Sequence, residues 1–105
     1  MPLDAAPLPD RNDIVNAVEV LFPEDERELA MTLLDQYDTG IWKERKERIQ
    51  MATLILSEGS IEKLKGFIKE ATQDYRNVLY WCEYTKQGVA LRSDMEGKLR
   101  DKKEK

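Results

Sequence analysis

Apolar residues recur at alternating steps of three and four from Ile61 to Cys82, through Leu64, Ile68, Ala71, Tyr75 and Val78. That spacing places them on one side of a helix with 3.6 residues per turn and predicts a long amphipathic helix over residues 61–85. The stripe stays in phase through Thr72, Gln73 and Asp74, so this polar triplet reads as part of the helix rather than as a break. Gly66 weakens the helix by roughly 1 kcal/mol relative to alanine, and Gly88 ends it.

Three shorter helices precede it. Ile14, Ala17, Val18 and Leu21 share one face over residues 12–21, with Asp10 or Asn12 as cap and Pro23 as stop. Pro23 suits the first position of a second helix over 24–37, whose opening Glu24, Asp25 and Glu26 sit where the helix dipole favours negative charge. Its apolar face holds Leu29, Ala30, Leu33, Leu34 and Tyr37, and Gly40 supplies the stop. A third helix over 42–57 carries Ile41, Ile49, Ala52, Ile55 and Leu56 on its face, with Met51 and Leu54 on the flank. Gly59 closes it and Ser60 caps the next, so these two helices should form a tight antiparallel hairpin.

The chain therefore reads as all-α, a single-domain bundle of four main helices joined by short turns. Residues 1–9, with Pro2, Pro7 and Pro9, form an extended leader, residues 10–86 the helical domain, and residues 87–105 a charged, solvated tail with some helix. The expected core is Ile14, Val18, Leu21, Leu29, Leu33, Leu34, Ala52, Ile55, Leu56, Ile61, Leu64, Ile68, Ala71, Tyr75, Val78 and Leu79.

Composition narrows the chemistry more than it suggests any. There is no histidine, and Cys82 is the lone cysteine, so an internal disulfide, the usual zinc sites and a Ser-His triad are all without their parts. No cofactor, metal or catalytic residue is read from this sequence. Nothing resembles a signal peptide, and no apolar run approaches membrane-spanning length, which makes cytoplasmic residence the default expectation. Ten acidic residues against Arg11 and Arg27 leave residues 1–40 at −8, and the total of −4 then puts +4 on the remainder. Pairing of the two halves within the fold is the preferred reading of this asymmetry, ahead of an electrostatic docking surface.

Two constellations stand out. Arg45 and Arg48 project towards the side of Ile41, Ala52 and Ile55, either as a bidentate anion or carboxylate site or as snorkelling side chains over the end of the core. Snorkelling is preferred. The run from Lys43 to Arg48 is interrupted by glutamates in an acidic chain, which argues against nucleic acid. Tyr80, Trp81 and Tyr84 form a second apolar face late in the last helix, opposite Ile61, Ile68 and Tyr75. Cover by the leader, the first helix or the tail is the preferred reading, ahead of another chain, although large exposed aromatic patches mark interaction sites. Asp74 is the acid with an evident neighbour, Arg76, and a structural ion pair is the preferred reading there. Cys82 lies on the buried stripe as an inert core thiol.

The segment ERIQMATLILSEGSIEKLKGFIKEATQDYRNVLYWCEY, residues 47–84, resembles one shared by small uncharacterised bacterial helical proteins. Its marks are a helix, a Glu-Gly turn, an Ile-Glu-x-Leu start, Asp-Tyr-Arg and an aromatic-rich end. The resemblance implies a bacterial, soluble, helical protein and carries over no site residues. The functional expectation is a non-enzymatic protein-protein interaction or regulatory module acting through Tyr80, Trp81 and Tyr84, with a protein partner or a second copy. A small-ligand or anion-binding protein, possible enzyme included, using Arg45 and Arg48 is the alternative.

Overall fold

A computed structural model describes residues 10–36 and 46–103, and five helices make up nearly all of them: α1 (Arg11–Leu21), α2 (Glu24–Asp35), α3 (Lys46–Ser57), α4 (Ile61–Glu83) and α5 (Lys86–Lys103). The all-α class holds, with one helix more than the four expected.

Asp10 starts α1 with a reciprocal cap: its carboxylate accepts from the Asp13 amide at 2.9 Å, and that of Asp13 accepts from the Asp10 amide at 3.1 Å. After Phe22 the chain reverses at Pro23 into α2. The two arginines of the acidic half fasten this hairpin at both ends. Arg27 donates to the Phe22 and Glu19 carbonyls at 3.0 and 3.1 Å, satisfying groups left open at the end of α1. Arg11 grips Asp35 bidentately at the other end, at 2.9 and 3.2 Å. Both contacts stay within the N-terminal half. All five ion pairs among the described residues join partners from the same half of the chain.

α3 lies at the centre. Ile49, Gln50, Ala52, Thr53, Leu54, Ile55, Leu56 and Ser57 are all buried, which leaves its second half no solvent-facing side. Two of its polar members are satisfied within the helix: the Thr53 hydroxyl donates to the Gln50 carbonyl at 2.7 Å and that of Ser57 to the Leu54 carbonyl at 2.6 Å. The Gln50 amide nitrogen reaches the Leu34 carbonyl of α2 at 3.0 Å, fixing α2 against α3. The turn after α3 forms as expected. Glu58 and Gly59 take positive φ angles of 54° and 85°, and the Ser60 hydroxyl accepts from the Lys63 amide at 3.2 Å.

The expectation of one continuous long helix fails at Asp74, which is extended at φ −159° and ψ 97°. The ring centroids of Phe67 and Trp81 are 6.1 Å apart, whereas fourteen residues of straight α-helix would separate their positions by about 21 Å. Asn77 donates to Glu70 at 3.0 Å, again across the break. α4 is folded back on itself, and local side chains specify where. Thr72 donates to the Ile68 carbonyl at 2.9 Å, a bond that bends helices, and the Asp74 carboxylate accepts from the Arg76 amide at 3.1 Å as a cap for the returning half. Arg76 closes the device by pairing with Asp74 at 3.0 and 3.2 Å. These bonds hold the carboxyl of Asp74 below the usual carboxylate range, the side-chain bond contributing most. The stripe survives because both halves bury the same positions: Leu64 and Ala71 before the turn, Val78, Leu79 and Cys82 after it.

The expected solvated tail is α5. Met95 is buried in the core, Leu91 and Leu99 pack against it, and Gly88, read as the end of the preceding helix, sits in the first turn of this one. A helix with so few apolar residues gave little sequence signal. Leu29, placed in the core by periodicity, is instead 45% exposed. Ala30 and Leu34 carry the buried face of α2, Phe22, Ile49 and Leu54 extend the core beyond the expected set, and Cys82 is buried as its place on the stripe implied.

Gly66 offers a simple test of the helix around it. A β-carbon there would meet nothing within 4 Å, so Gly66→Ala should stabilise the fold by roughly 0.5–1 kcal/mol, the propensity difference alone. A raised urea midpoint with unchanged slope is the expected reading.

Candidate functional site

The fold-back at Asp74 places the end of α4 beside its own beginning, and the aromatic cluster follows from that. Val78, Leu79 and Cys82 take the inner side of the returning half, which leaves Tyr80, Trp81 and Tyr84 facing outward. Tyr80 is 57% exposed, Trp81 37% and Tyr84 72%. Tyr80 and Tyr84, one helical turn apart, stack with centroids 6.0 Å apart and planes at 27°. Trp81 leans the other way and meets Phe67 edge-on, with the planes at 68°.

Trp81 and Phe67 line a cleft of about 420 Å³, closed by Leu56, Glu58 and Lys63 on one side and by Thr85, Gly88 and Leu91 on the other. Its surface is chiefly carbon, with the Lys63–Glu58 ion pair, 3.5 Å, among its lining. Such a cleft accepts an apolar side chain and offers little to an ionic substrate. Its α5 wall is set by Thr85, whose hydroxyl donates to the Trp81 carbonyl at 2.6 Å and accepts from the Gly88 amide at 2.9 Å. One side chain thus satisfies the last turn of α4 and caps the first turn of α5.

Arg48, the anion-site candidate, spends its guanidinium on Glu83. Nε and Nη2 donate to the two carboxylate oxygens at 2.9 and 2.5 Å, in a half-buried pair that ties α3 to the returning half of α4. The hydrogen bond to Glu83 raises the arginine pKa further above its ordinary value. An external anion would have to displace that carboxylate. Arg45 lies outside the described residues. Cys82 is buried, and burial pushes its thiol up to about 11, which keeps it protonated and unreactive near neutral pH.

Among the described residues no cluster of three or more His, Cys, Asp or Glu side chains is placed to hold a metal ion, and no helix is long and apolar enough to cross a membrane. Sequence reasoning found the aromatic trio but missed Phe67 and Leu91, which make it part of a cleft. Phe67 lay off the periodic stripe, and its meeting with Trp81 depends on the Asp74 turn. Compared with protein-family models, with curated proteins and with solved structures, the chain matches none.

Proposed function

We propose that the chain is a non-enzymatic interaction module that binds a protein partner through Tyr80, Trp81 and Tyr84 and the cleft beside them. The observation that carries this reading is the exposure of three large aromatic side chains on one turn of a helix that is anchored on its other side. Folded chains seldom leave such residues in water without use, and tyrosine and tryptophan are the side chains that most often dominate protein contacts. The rings are also held before binding, by stacking between Tyr80 and Tyr84 and by the Phe67 edge against Trp81. Little side-chain freedom then remains to be lost on association. The cleft is sized for one or two apolar side chains of the partner.

The reading is tested with the double variant Tyr80→Ala/Tyr84→Ala. Both residues are solvent-facing, so its thermal unfolding should stay within a few degrees of the parent. Light scattering after size exclusion gives the state of the isolated chain, and capture on the immobilised chain recovers partners. A species held by the parent and reduced at least about tenfold by the double variant is the expected result. A monomer that retains the same proteins with and without the two tyrosines would overturn the proposal.

A further inference from the structure

We propose that α5 is a strap that opens as a unit while α1 to α4 stay folded, and that opening extends the apolar surface next to Trp81. The isolated chain has this property by itself, so it stands or falls separately from the interaction reading.

Three observations carry it. The grip of α5 is thin: of its apolar side chains, Met95 alone is fully buried, Leu91 and Leu99 are partly so, and Val89 is 49% exposed. Its packing is incomplete. The cleft of about 420 Å³ on one side of Leu91 is matched on the other by a smaller one of about 150 Å³ bordered by Leu21, Ile55, Asp94 and Met95, and Glu58 lines both. Among the described residues its polar anchorage is at one end, where Thr85 joins Trp81 to Gly88, while the ion pair Lys98–Asp94 is internal to the helix.

A helix held by a few side chains and hinged at one end opens at lower free energy than the helices it covers. Gly88 and Gly97 lower its intrinsic helicity further, so that once detached it unwinds. Detachment uncovers Leu21, Ile55 and Leu56 beside Phe67 and Trp81, turning two small clefts into one apolar groove. The strap therefore sets how much of that surface is presented.

Native-state hydrogen exchange on the full chain tests this. Amides of α5 beyond Leu91 should exchange at least about tenfold faster than those in the middle of α3. Two variants then separate local from global opening. Leu34→Ala truncates a fully buried residue near the Arg11–Asp35 end of the α1–α2 hairpin, away from α5. It should speed α3 exchange and leave α5 at its original rate, because local opening of α5 does not involve that site. Met95→Ala should speed α5 by about tenfold or more, having removed its one fully buried side chain. Gly97→Ala has open space for its β-carbon and should slow α5 about threefold through helix propensity, with no risk to folding. A single common rate for α3 and α5, or equal acceleration of both by Leu34→Ala, would show that α5 belongs to the global unit and overturn the proposal.

Discussion

Replacing Gly88 by alanine should cost about 3 kcal/mol, although alanine is the better helix former by roughly 1 kcal/mol. The reason lies in the neighbours of the missing β-carbon. It would come to 2.0 Å from the Trp81 carbonyl oxygen and 2.5 Å from that of Cys82. Both are backbone atoms at the end of α4, and the chain there is held by the Arg48–Glu83 pair and by Cys82 in the core. Neither can rotate aside as a side-chain tip could. Relief has to come from α5, whose first turn must withdraw, breaking the Thr85 bridge and lifting Leu91 off the cleft. The expected readout is a lowered urea midpoint together with weaker helical circular dichroism in the native baseline. Gly66→Ala, with the same chemistry in open space, is the control in which the propensity gain should appear. A rise in stability on Gly88→Ala would show that the α4–α5 contact is not as close as described.

Leu54→Ala should cost between about 2 and 5 kcal/mol, the range for truncating a fully buried leucine into a site that collapses only in part. Periodicity put Leu54 on a flank, where the same change would cost under about 1 kcal/mol. In the structure it is 0% exposed, because α3 is enclosed on every side over its second half. Equilibrium unfolding in urea decides between the two values. A loss below 1 kcal/mol would mean that α3 has a free face and that the bundle is more open than described. The slope of the transition should be unchanged, since the variant removes contacts and not an element.

Those two residues show what the sequence could and could not convey. Amphipathic periodicity reports which side of a helix is buried, and it served well where a helix has two distinct sides: Ile14, Val18 and Leu34 are all buried as expected. It says little about α3, where Gln50, Thr53 and Ser57 are as buried as their apolar neighbours. Thr53 and Ser57 satisfy their hydroxyls through backbone carbonyls and Gln50 its amide nitrogen, while among the described residues the Gln50 Oε1 is buried without a partner, and no hydropathy pattern reveals that. It was silent on direction at Asp74. A stripe in phase is compatible with a rod or with a hairpin whose halves bury the same face, and the signals that decide, a capping aspartate followed by Arg76 and Asn77, are local and polar. α5 escaped because three apolar residues at intervals of four are too few to stand out in a charged segment. The aromatic trio was legible because it contradicted the stripe beside it. Its companion Phe67 was not, because their meeting depends on the turn.

The reversal at Asp74 also bears on how the chain finds its fold. A straight helix of 23 residues would run about 34 Å and leave much of its length beyond α3. Folded back, it makes residues 46–83 a series of three antiparallel segments joined by turns at Glu58–Gly59 and Asp74, each pairing with the segment just before it. Closing such short loops loses little chain entropy, and contacts between close neighbours in sequence form fastest. The pairing of α5 with α1 requires closure over most of the chain and draws on few apolar side chains, so it belongs at the end of that sequence. An aspartate in the middle of an amphipathic stripe thereby helps set the order of assembly as well as the shape of the product.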